Sequence, residues 1–499
     1  MGRRTYMVLG FTLYTIVVGA QVNGGFNSSR SSFGAGKQSA FNQGRRNNFN
    51  DYRKKLNAEY VSKTREKWQN FYGKAPMVAP DNDVKPVTPI KMSDEDAKQD
   101  KKDKQIEIKQ VVKPIKQVTP PQPVAPVDEV PVQNQQLLTF SYLGSQLQVR
   151  KPTSGIVRLA GLSENKIADA WEQLCDESYN NLLLDCIQLR SKHRLCDWAY
   201  LQMLQALGNS FCGNGTNEAT LLTAFLYSQS GYKIRLGQTK GKLVLLYASQ
   251  HNIYSVRYIE YEGDKFYSLT EDLLDVKVNA ARYPRENSLS LWVASEPQVS
   301  FCASTTRTRS SKRYSDMSVQ VSVNKNLIPF FDSYPTSEVG GNFMTRWAMY
   351  ANTAFCKETQ NQLYPQLKRA IGGRSELEAA ERLLNWVQTG FEYEYDDKVW
   401  GDDRAFFPDE SLYYPYCDCE DRSILFTRLV RDLLGLRCIL VYYPGHLACA
   451  VNFSQPVSGD YIMVNGTKYV VCDPTYIGAS VGHTMPGCDN SAAKVIILQ

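Results

Sequence analysis

The sequence predicts an α+β fold in which helices pack on antiparallel sheet. Residues 163–190 and 375–391 carry apolar side chains at helical spacing. Short runs with strand character follow each of them, as at residues 242–248 and 468–477. Because a helical region precedes strands twice along the chain, we also expect an internal repeat.

The N-terminus predicts a signal peptide over residues 1–20. Two arginines precede an apolar run from Met7 to Val18, and small residues then lead to Ala20, where we expect cleavage. The run is shorter than the roughly 20 residues of a spanning helix, and no longer apolar run follows. We therefore expect an exported, soluble protein, periplasmic or secreted, without a transmembrane span in the mature chain.

Composition narrows the possible partners and the role of the cysteines. The formal charge of +6 is spread over 499 residues with both signs interleaved, which disfavours nucleic-acid binding. All 12 cysteines lie between Cys175 and Cys488. Export permits disulfides, but their connectivity cannot be read from the spacing.

Three segments precede the globular part. Residues 21–50 are rich in Gly, Asn, Ser and Gln and are predicted to be disordered. Residues 51–75 are predicted to form an amphipathic helix, either packed on its own protein or presented to a protein partner. Residues 76–136 are rich in Pro and Lys and are predicted to form an extended linker.

Two copies of a helix-strand-strand unit are predicted beyond the linker, over residues 137–295 and 296–499. The landmark positions of the second copy are Cys419, His446 and Asp473. The aligned positions of the first copy are Thr216, Lys242 and Thr270. Thr216, Lys242 and Thr270 cannot form a thiolate–imidazolium pair. We therefore expect the first copy to be a degenerate domain that supports the fold or binds substrate.

The second copy has the residue types of a cysteine nucleophile site. Cys419 begins a predicted helix, whose positive end lowers a thiol pKa and stabilises an oxyanion. His446 begins one strand and Asp473 ends another, so adjacent strands can place the carboxylate against the imidazole. These three residues are the predicted catalytic triad.

This pattern resembles the transglutaminase-like superfamily of papain-fold cysteine enzymes, of the exported bacterial type. The matching residues are Cys419, Asp421, Ser423, Gly435, His446 and the Asp-Pro-Thr run that begins at Asp473. The resemblance covers about residues 375–480 and implies a thiol-dependent acyl transferase or amide hydrolase. The chain departs from the family pattern at Cys417, where a small residue is usual, and its oxyanion side chain is unassigned among Trp386, Trp400 and Tyr416.

Each element of the triad also has a plainer interpretation. Cys419 can be a packing residue, and Asp473 before Pro474 can simply initiate a turn. Cys417 can pack, form a disulfide or trap Cys419 under oxidation. A zinc site made of Cys417, Cys419, His446 and Cys472 is disfavoured, because Cys472 should point to the opposite strand face from Asp473.

The sequence thus predicts an exported cysteine enzyme that acts on amide bonds without metal or organic cofactor. Peptide, protein and peptidoglycan-stem substrates all fit, by hydrolysis or by transfer to an amine. The alternative is a non-catalytic binding or assembly protein in which both copies serve as scaffolds. A low thiol pKa at Cys419 would separate the two hypotheses.

Overall fold

The computed structural model describes residues 35–80, 85–93, 95, 101–115, 119–401 and 403–499, with side chains from residue 50 onward. The chain divides into two units, Met1–Asn48 and Phe49–Gln499. The described part of the first unit is helical. The predicted signal peptide and residues 21–34 of the predicted disordered segment lie outside the described residues.

The fold of the second unit is α+β, and in both halves a run of helices directly precedes a run of antiparallel strands, although other strands come before those helices. The helices in the described residues are α1 (Ala35–Thr64, which starts in the first unit), α2 (Glu164–Leu174), α3 (Asn180–Lys192), α4 (Asp197–Cys212), α5 (Asn217–Gln229), α6 (Ile328–Asp332), α7 (Thr345–Asn352), α8 (Lys357–Ile371), α9 (Glu376–Gly390), α10 (Asp396–Val399), α11 (Pro408–Tyr413) and α12 (Cys419–Leu434). None of them is long and apolar enough to cross a membrane.

The strands fall into two larger sheets and three hairpin-sized pairs. They are β1 (Gln69–Tyr72), β2 (Lys104–Gln105), β3 (Gln110–Val112), β4 (Leu137–Tyr142), β5 (Ser145–Arg150), β6 (Ile234–Thr239), β7 (Lys242–Ala248), β8 (His251–Ile253), β9 (Ile259–Tyr261), β10 (Asp264–Ser268), β11 (Asp275–Val278), β12 (Arg307–Ser310), β13 (Ser318–Val321), β14 (Ser337–Val339), β15 (Arg437–Tyr443), β16 (His446–Asn452), β17 (Asp460–Val464), β18 (Thr467–Cys472) and β19 (Lys494–Ile497).

The two larger sheets share one strand order. The first runs β1-β11-β6-β7-β10-β9, and the second runs β3-β19-β15-β16-β18-β17-β2. Five antiparallel strands of one sheet therefore match five of the other. The order β11-β6-β7-β10-β9 in the first sheet corresponds to β19-β15-β16-β18-β17 in the second, strand by strand along the chain. The central hairpin of the first sheet is β6–β7, and that of the second sheet is β15–β16. Lys242 begins β7 opposite Thr239 at the end of β6, and His446 begins β16 opposite Tyr443 at the end of β15.

One helix packs on each central hairpin: α5 contacts β6 and β7, and α12 contacts β15 and β16. Ile424, Leu425 and Leu429 of α12 are fully buried in the main core. A smaller apolar cluster covers the opposite face of each sheet. Both sheets are thus buried on two faces, which accounts for their nearly continuous apolar strands.

The segment predicted as a helix over residues 51–75 has different bounds in the structure. Helix α1 begins at Ala35, inside the segment predicted to be disordered, and ends at Thr64. The chain then turns so that β1 pairs with β11, because β11 offers an open sheet edge. Tyr60 is only 2 % exposed and stacks between Trp171 and Tyr283, at centroid distances of 4.5 and 4.6 Å. This face of α1 therefore packs on its own protein.

The described parts of residues 76–136 are extended, as predicted, but they pack against the globular part. Strands β2 and β3 add to the two edges of the second sheet in parallel register. Ile106 is buried against that sheet, and Val112 lies in the main core. The composition of the segment predicted no such docking; its apolar residues and free backbone groups complete exposed sheet edges.

Two glycines that follow the equivalent helices α5 and α12 allow a stability prediction. Both have positive φ, +97° at Gly231 and +69° at Gly435. A Cβ at Gly435 would meet no atom within 4 Å, whereas one at Gly231 would lie 2.0 Å from the backbone oxygen of Gln122. We expect Gly435→Ala to lower the free energy of unfolding by about 1 kcal/mol, from backbone strain alone.

Gly231→Ala should cost about 3 kcal/mol, because the segment around Gln122 must also move. Urea unfolding of both variants measures the difference. Equal losses would mean that residues 119–125 do not pack against the end of α5.

Candidate active site

Cys419 is the first residue of α12, and the local sequence explains why the helix starts there. The Asp418 carboxylate accepts a hydrogen bond from the Asp421 backbone N–H (3.4 Å), and the Asp421 carboxylate accepts one from the Asp418 N–H (3.3 Å). This reciprocal capping box satisfies two of the free N–H groups at the helix start. Ser423 donates to the Leu447 carbonyl (2.7 Å) and so joins the first turns of α12 to β16.

His446 and Asp473 are in direct contact. His446 begins β16, Asp473 follows β18, and these two strands are paired. His446 Nε2 lies 2.8 Å from Asp473 Oδ2, and both side chains are buried. Since a carboxylate can only accept, Nε2 carries the proton of a neutral His446 and Nδ1 presents its lone pair. Nδ1 is buried and has no hydrogen-bond partner among the described residues.

Asp473 serves a turn and the imidazole at the same time. Its Oδ1 accepts from the backbone N–H of Thr475 (2.8 Å) and of Tyr476 (3.2 Å), while its Oδ2 contacts His446. The turn interpretation and the orienting interpretation are therefore compatible. Each uses one of the two carboxylate oxygens.

Gln388, a residue of α9 that sequence reasoning missed, holds the loop after β18. Its amide N–H₂ donates to the carbonyls of Asp473, Tyr476 and Ala479 at 2.8 to 3.1 Å. Its amide oxygen accepts from Gly478 N–H (3.2 Å). A buried glutamine within a helix has no sequence signal, because its partners are about ninety positions away.

The thiol of Cys419 makes its hydrogen bond to a carboxylate and none to His446 Nδ1. Its Sγ lies 3.2 Å from Glu420 Oε2, and the residue is 4 % exposed. Burial, together with the Glu420 and Asp418 carboxylates, raises the Cys419 pKa well above its ordinary value, although the Leu447 N–H lowers it. The sequence predicted a lowered pKa from the helix terminus. That prediction is wrong for this arrangement, because burial and two carboxylates outweigh the helix.

A cluster of carboxylates surrounds the start of α12. It consists of the buried Asp396, Asp418, Glu420 and Asp421 and the half-buried Asp403. Arg346, which is buried in α7, lies 3.6 Å from Glu420 and also pairs with Asp403. Two other carboxylates of the cluster accept hydrogen bonds from backbone N–H groups. The Phe406 N–H donates to Asp421 (2.8 Å), and the Arg404 N–H donates to Asp396 (2.7 Å). Burial and the other carboxylates raise the pKa of Asp396 to about 8.

Several carboxylate groups are close enough to share a cation. Within 4.8 Å of one another lie the ligand atoms of Asp396, Asp403 and Glu420, and likewise those of Asp396, Asp418 and Asp421. A separate buried group consists of Glu296, Cys356 and Asp409. The four residues of the disfavoured zinc alternative form no such group in the part of the chain that the structure describes.

Cys417 and the aromatic candidates for the oxyanion are accounted for by packing. Cys417 is buried, and its N–H donates to the Glu392 carbonyl (3.1 Å). Trp386 donates its indole N–H to the Arg309 carbonyl (2.9 Å). Trp400 packs edge-on against Phe406 and Tyr414. The side chain of Tyr416 is exposed. All twelve cysteines are free thiols.

Tyr393, which sequence reasoning did not single out, has a buried hydroxyl without a hydrogen-bond partner in the part of the chain that the structure describes. Burial and then the charge of Cys419 raise the Tyr393 pKa, so the hydroxyl stays protonated. A signal was present in the residues "FEYEYDD" upstream of the cysteine, but it could not be told from ordinary aromatic packing.

The first copy has a different set of residues at the corresponding place. Lys242 begins β7 as His446 begins β16, and its Nζ pairs with Glu271 Oε1 at 2.7 Å. Asn217, the first residue of α5, accepts at Oδ1 from Leu243 N–H (2.9 Å). Thr216 is the helix N-cap, the position that Asp418 holds in the second copy. The sequence alignment placed Thr216 and Thr270 against Cys419 and Asp473. The structure brings Asn217, Lys242 and Glu271 together instead.

Comparison with known proteins adds no identification, since no family model and no curated protein matches this chain.

The raised pKa of Asp396 predicts how stability varies with pH. The folded protein keeps this proton up to about pH 8, whereas the ordinary Asp pKa is 3.8. Because the folded state binds the proton more tightly, this group's contribution to stability is lost as the pH rises through that interval. We expect the free energy of unfolding of the wild type to fall more between pH 5 and pH 8 than that of Asp396→Asn.

Urea unfolding of both proteins at the two pH values gives the double difference. The Asn side chain keeps an oxygen for the Arg404 N–H, so the fold should persist. An identical pH dependence in both proteins would contradict the raised pKa.

Proposed function

We propose that this protein is a cysteine-dependent enzyme that cleaves or transfers amide bonds, with Cys419 as nucleophile, His446 as general base and acid, and Asp473 as the positioning carboxylate. The observation that carries the proposal is the buried pair of His446 and Asp473. Asp473 occupies Nε2, so Nδ1 is the nitrogen left to accept a proton. Leu447, whose N–H acts on the Cys419 sulfur, is the next residue after His446.

The residues account for each bond made and broken. His446 Nδ1 takes the proton of Cys419, and the sulfur forms a bond to the substrate carbonyl carbon. The carbon–nitrogen bond then breaks, and the leaving amine takes the proton from Nδ1. Water in hydrolysis, or a primary amine in transfer, then attacks the thioester carbonyl carbon and gives a proton to His446 Nδ1. The carbon–sulfur bond breaks, and the Cys419 sulfur takes that proton back. No oxidant, reductant or cofactor is required by these steps.

Glu420 gives this site a resting state. Its carboxylate accepts from the thiol and raises the thiol pKa, so the free enzyme holds Cys419 as a neutral thiol. Attack requires the sulfur to leave Glu420 and turn toward His446. Substrate that displaces this contact would therefore couple binding to activation.

Tyr393 is a suitable donor for the tetrahedral oxyanion. Its hydroxyl is buried and protonated, its pKa is raised by burial and by the charge of Cys419, and no described residue competes for its hydrogen bond. A donor held in a dry site stabilises developing negative charge more than an exposed one does. The N–H groups at the start of α12 are partly used by the capping box, which makes a side-chain donor valuable here.

The proposal extends to the fold family and the location of the protein. The shared strand order of the two sheets supports two tandem transglutaminase-like copies, of which the first lacks a nucleophile. Cys419 at the start of α12, His446 at the start of β16 and Asp473 directly after β18 follow the order that this resemblance implies. The N-terminal residues support export, and the substrate is a peptide, a protein or a peptidoglycan stem.

A second function is favoured by one observation. The Cys419 thiol is bonded to a carboxylate and has a raised pKa, as in a structural cysteine. A non-catalytic binding or assembly protein would need no more than this. The two functions differ in whether the protein turns over an amide substrate at all.

Replacement of Cys419 by Ala should abolish turnover, whereas Cys417→Ala should retain it. Transfer is measured with N,N-dimethylcasein and monodansylcadaverine, and hydrolysis by release of new amino groups from peptide substrates. In the free wild type, iodoacetamide should label Cys419 only above its ordinary pKa of 9.0. Normal turnover in Cys419→Ala, or its loss in Cys417→Ala alone, would refute the assignment of the nucleophile.

Asp473→Asn should preserve the fold but lower the rate by a factor on the order of 10² to 10⁴. The Asn oxygen can still accept from Thr475 and Tyr476, but its N–H₂ would face Nε2. His446 would then carry its proton on Nδ1, where it cannot accept one from the thiol.

Asp460→Asn is the matched control, because Asp460 Oδ2 accepts only a backbone N–H, that of Thr484 at 3.1 Å. Its turnover should equal that of the wild type. Equal turnover in both variants would show that Asp473 serves the turn alone.

A further inference from the structure

The first copy contains a cavity at the place that corresponds to the Cys419 site. The cavity has a volume of about 280 Å³ and lies between the start of α5, the start of β7 and the loop after β10. Its lining includes Asn217, Lys242 and Glu271, the residues that take the positions of the second copy's triad. A pocket is therefore retained where the nucleophile is absent.

The cavity presents hydrogen-bond donors in a fixed orientation. Asn217 Oδ1 accepts from the Leu243 N–H (2.9 Å), and Asn209 Oδ1 accepts from the Gly215 N–H (3.2 Å). Because a backbone N–H can only donate, the atom that faces it in each amide must be the oxygen. The two amide N–H₂ groups have no partner in the described part of the chain and remain available to a ligand.

The charges of the cavity are balanced. Lys242 and Glu271 form an ion pair, so the lining carries no net charge from them. The ligand is accordingly neutral. It must supply acceptors for the Asn N–H₂ groups and apolar contact for Leu243, Leu245 and Leu269, which also line the cavity.

We propose that this cavity binds a neutral segment of polypeptide, with backbone carbonyl oxygens accepting from Asn209 and Asn217. A peptide backbone supplies carbonyls at regular spacing beside small apolar side chains, which matches amide donors above leucines. The volume suits about two residues. Sugar sites commonly offer aromatic faces, but no aromatic ring is among the lining residues that the structure describes. The site is separate from Cys419, so binding here does not depend on the proposed chemistry.

The test is a ligand-observed NMR titration of the full chain with N-acetyl-tetraalanine amide. Asn217→Asp and Asn209→Asp keep the oxygen that accepts from the backbone but replace the N–H₂ donor by a negative oxygen that repels a carbonyl. We expect saturable binding to the wild type and at least ~10-fold weaker binding in either variant. Asn465→Asp adds the same charge at an exposed turn between β17 and β18, and should leave the affinity unchanged.

Maltotetraose is titrated in parallel as the carbohydrate probe. Absence of peptide binding to the wild type, or binding of maltotetraose alone, would overturn the proposal. Peptide affinity that is unchanged in both cavity variants would also overturn it, because the peptide would then bind elsewhere. Far-UV circular dichroism confirms that each variant is folded.

Discussion

The hydrogen bond between His446 and Asp473 is the interaction on which the rest of the site depends. Both side chains are buried, and a buried imidazole or carboxylate without a partner is costly. The bond requires β16 to lie beside β18, and it requires the loop after β18 to hold the carboxylate against the ring. Gln388 supplies that restraint from α9 by binding three carbonyls of the loop. The strand order of the sheet and the packing of α9 thus together determine the position of the Asp473 carboxylate.

The parts of the site that the sequence predicted are those with local causes. Cys419 begins α12 because Asp418 caps it, Gly435 ends α12 because glycine tolerates a positive φ, and His446 begins the strand after a tight turn. Each signal lies within a few residues of the feature it determines. For this reason the α+β class and the element that carries each predicted site residue could be read from the sequence.

The parts that the sequence could not predict depend on distant residues. The elements that bury the start of α12 come from distant parts of the chain, and this burial, with the Glu420 and Asp418 carboxylates, raises the thiol pKa that was expected to be lowered. Arg346 of α7, for example, lies 3.6 Å from Glu420. The sequence alignment of the first copy with the second was wrong by one residue at the helix start. Thr216 is an N-cap and therefore aligns with Asp418, so Asn217 holds the position of Cys419. A shift of one residue cannot be detected when the matched positions are few.

The two copies show how one framework can separate recognition from chemistry. In both copies the first residue of a helix meets the backbone N–H of the second residue of a strand. These pairs are Asn217 with Leu243 and Cys419 with Leu447. In the second copy that helix residue is a thiol and the strand begins with an imidazole, the two groups that the proposed mechanism uses. In the first copy the pair is an amide and Lys242, which is held by Glu271. The amide can donate hydrogen bonds to a carbonyl but cannot act as the proposed nucleophile. Under the two proposals, the same backbone positions therefore hold an amide-containing chain in the first copy and cleave one in the second.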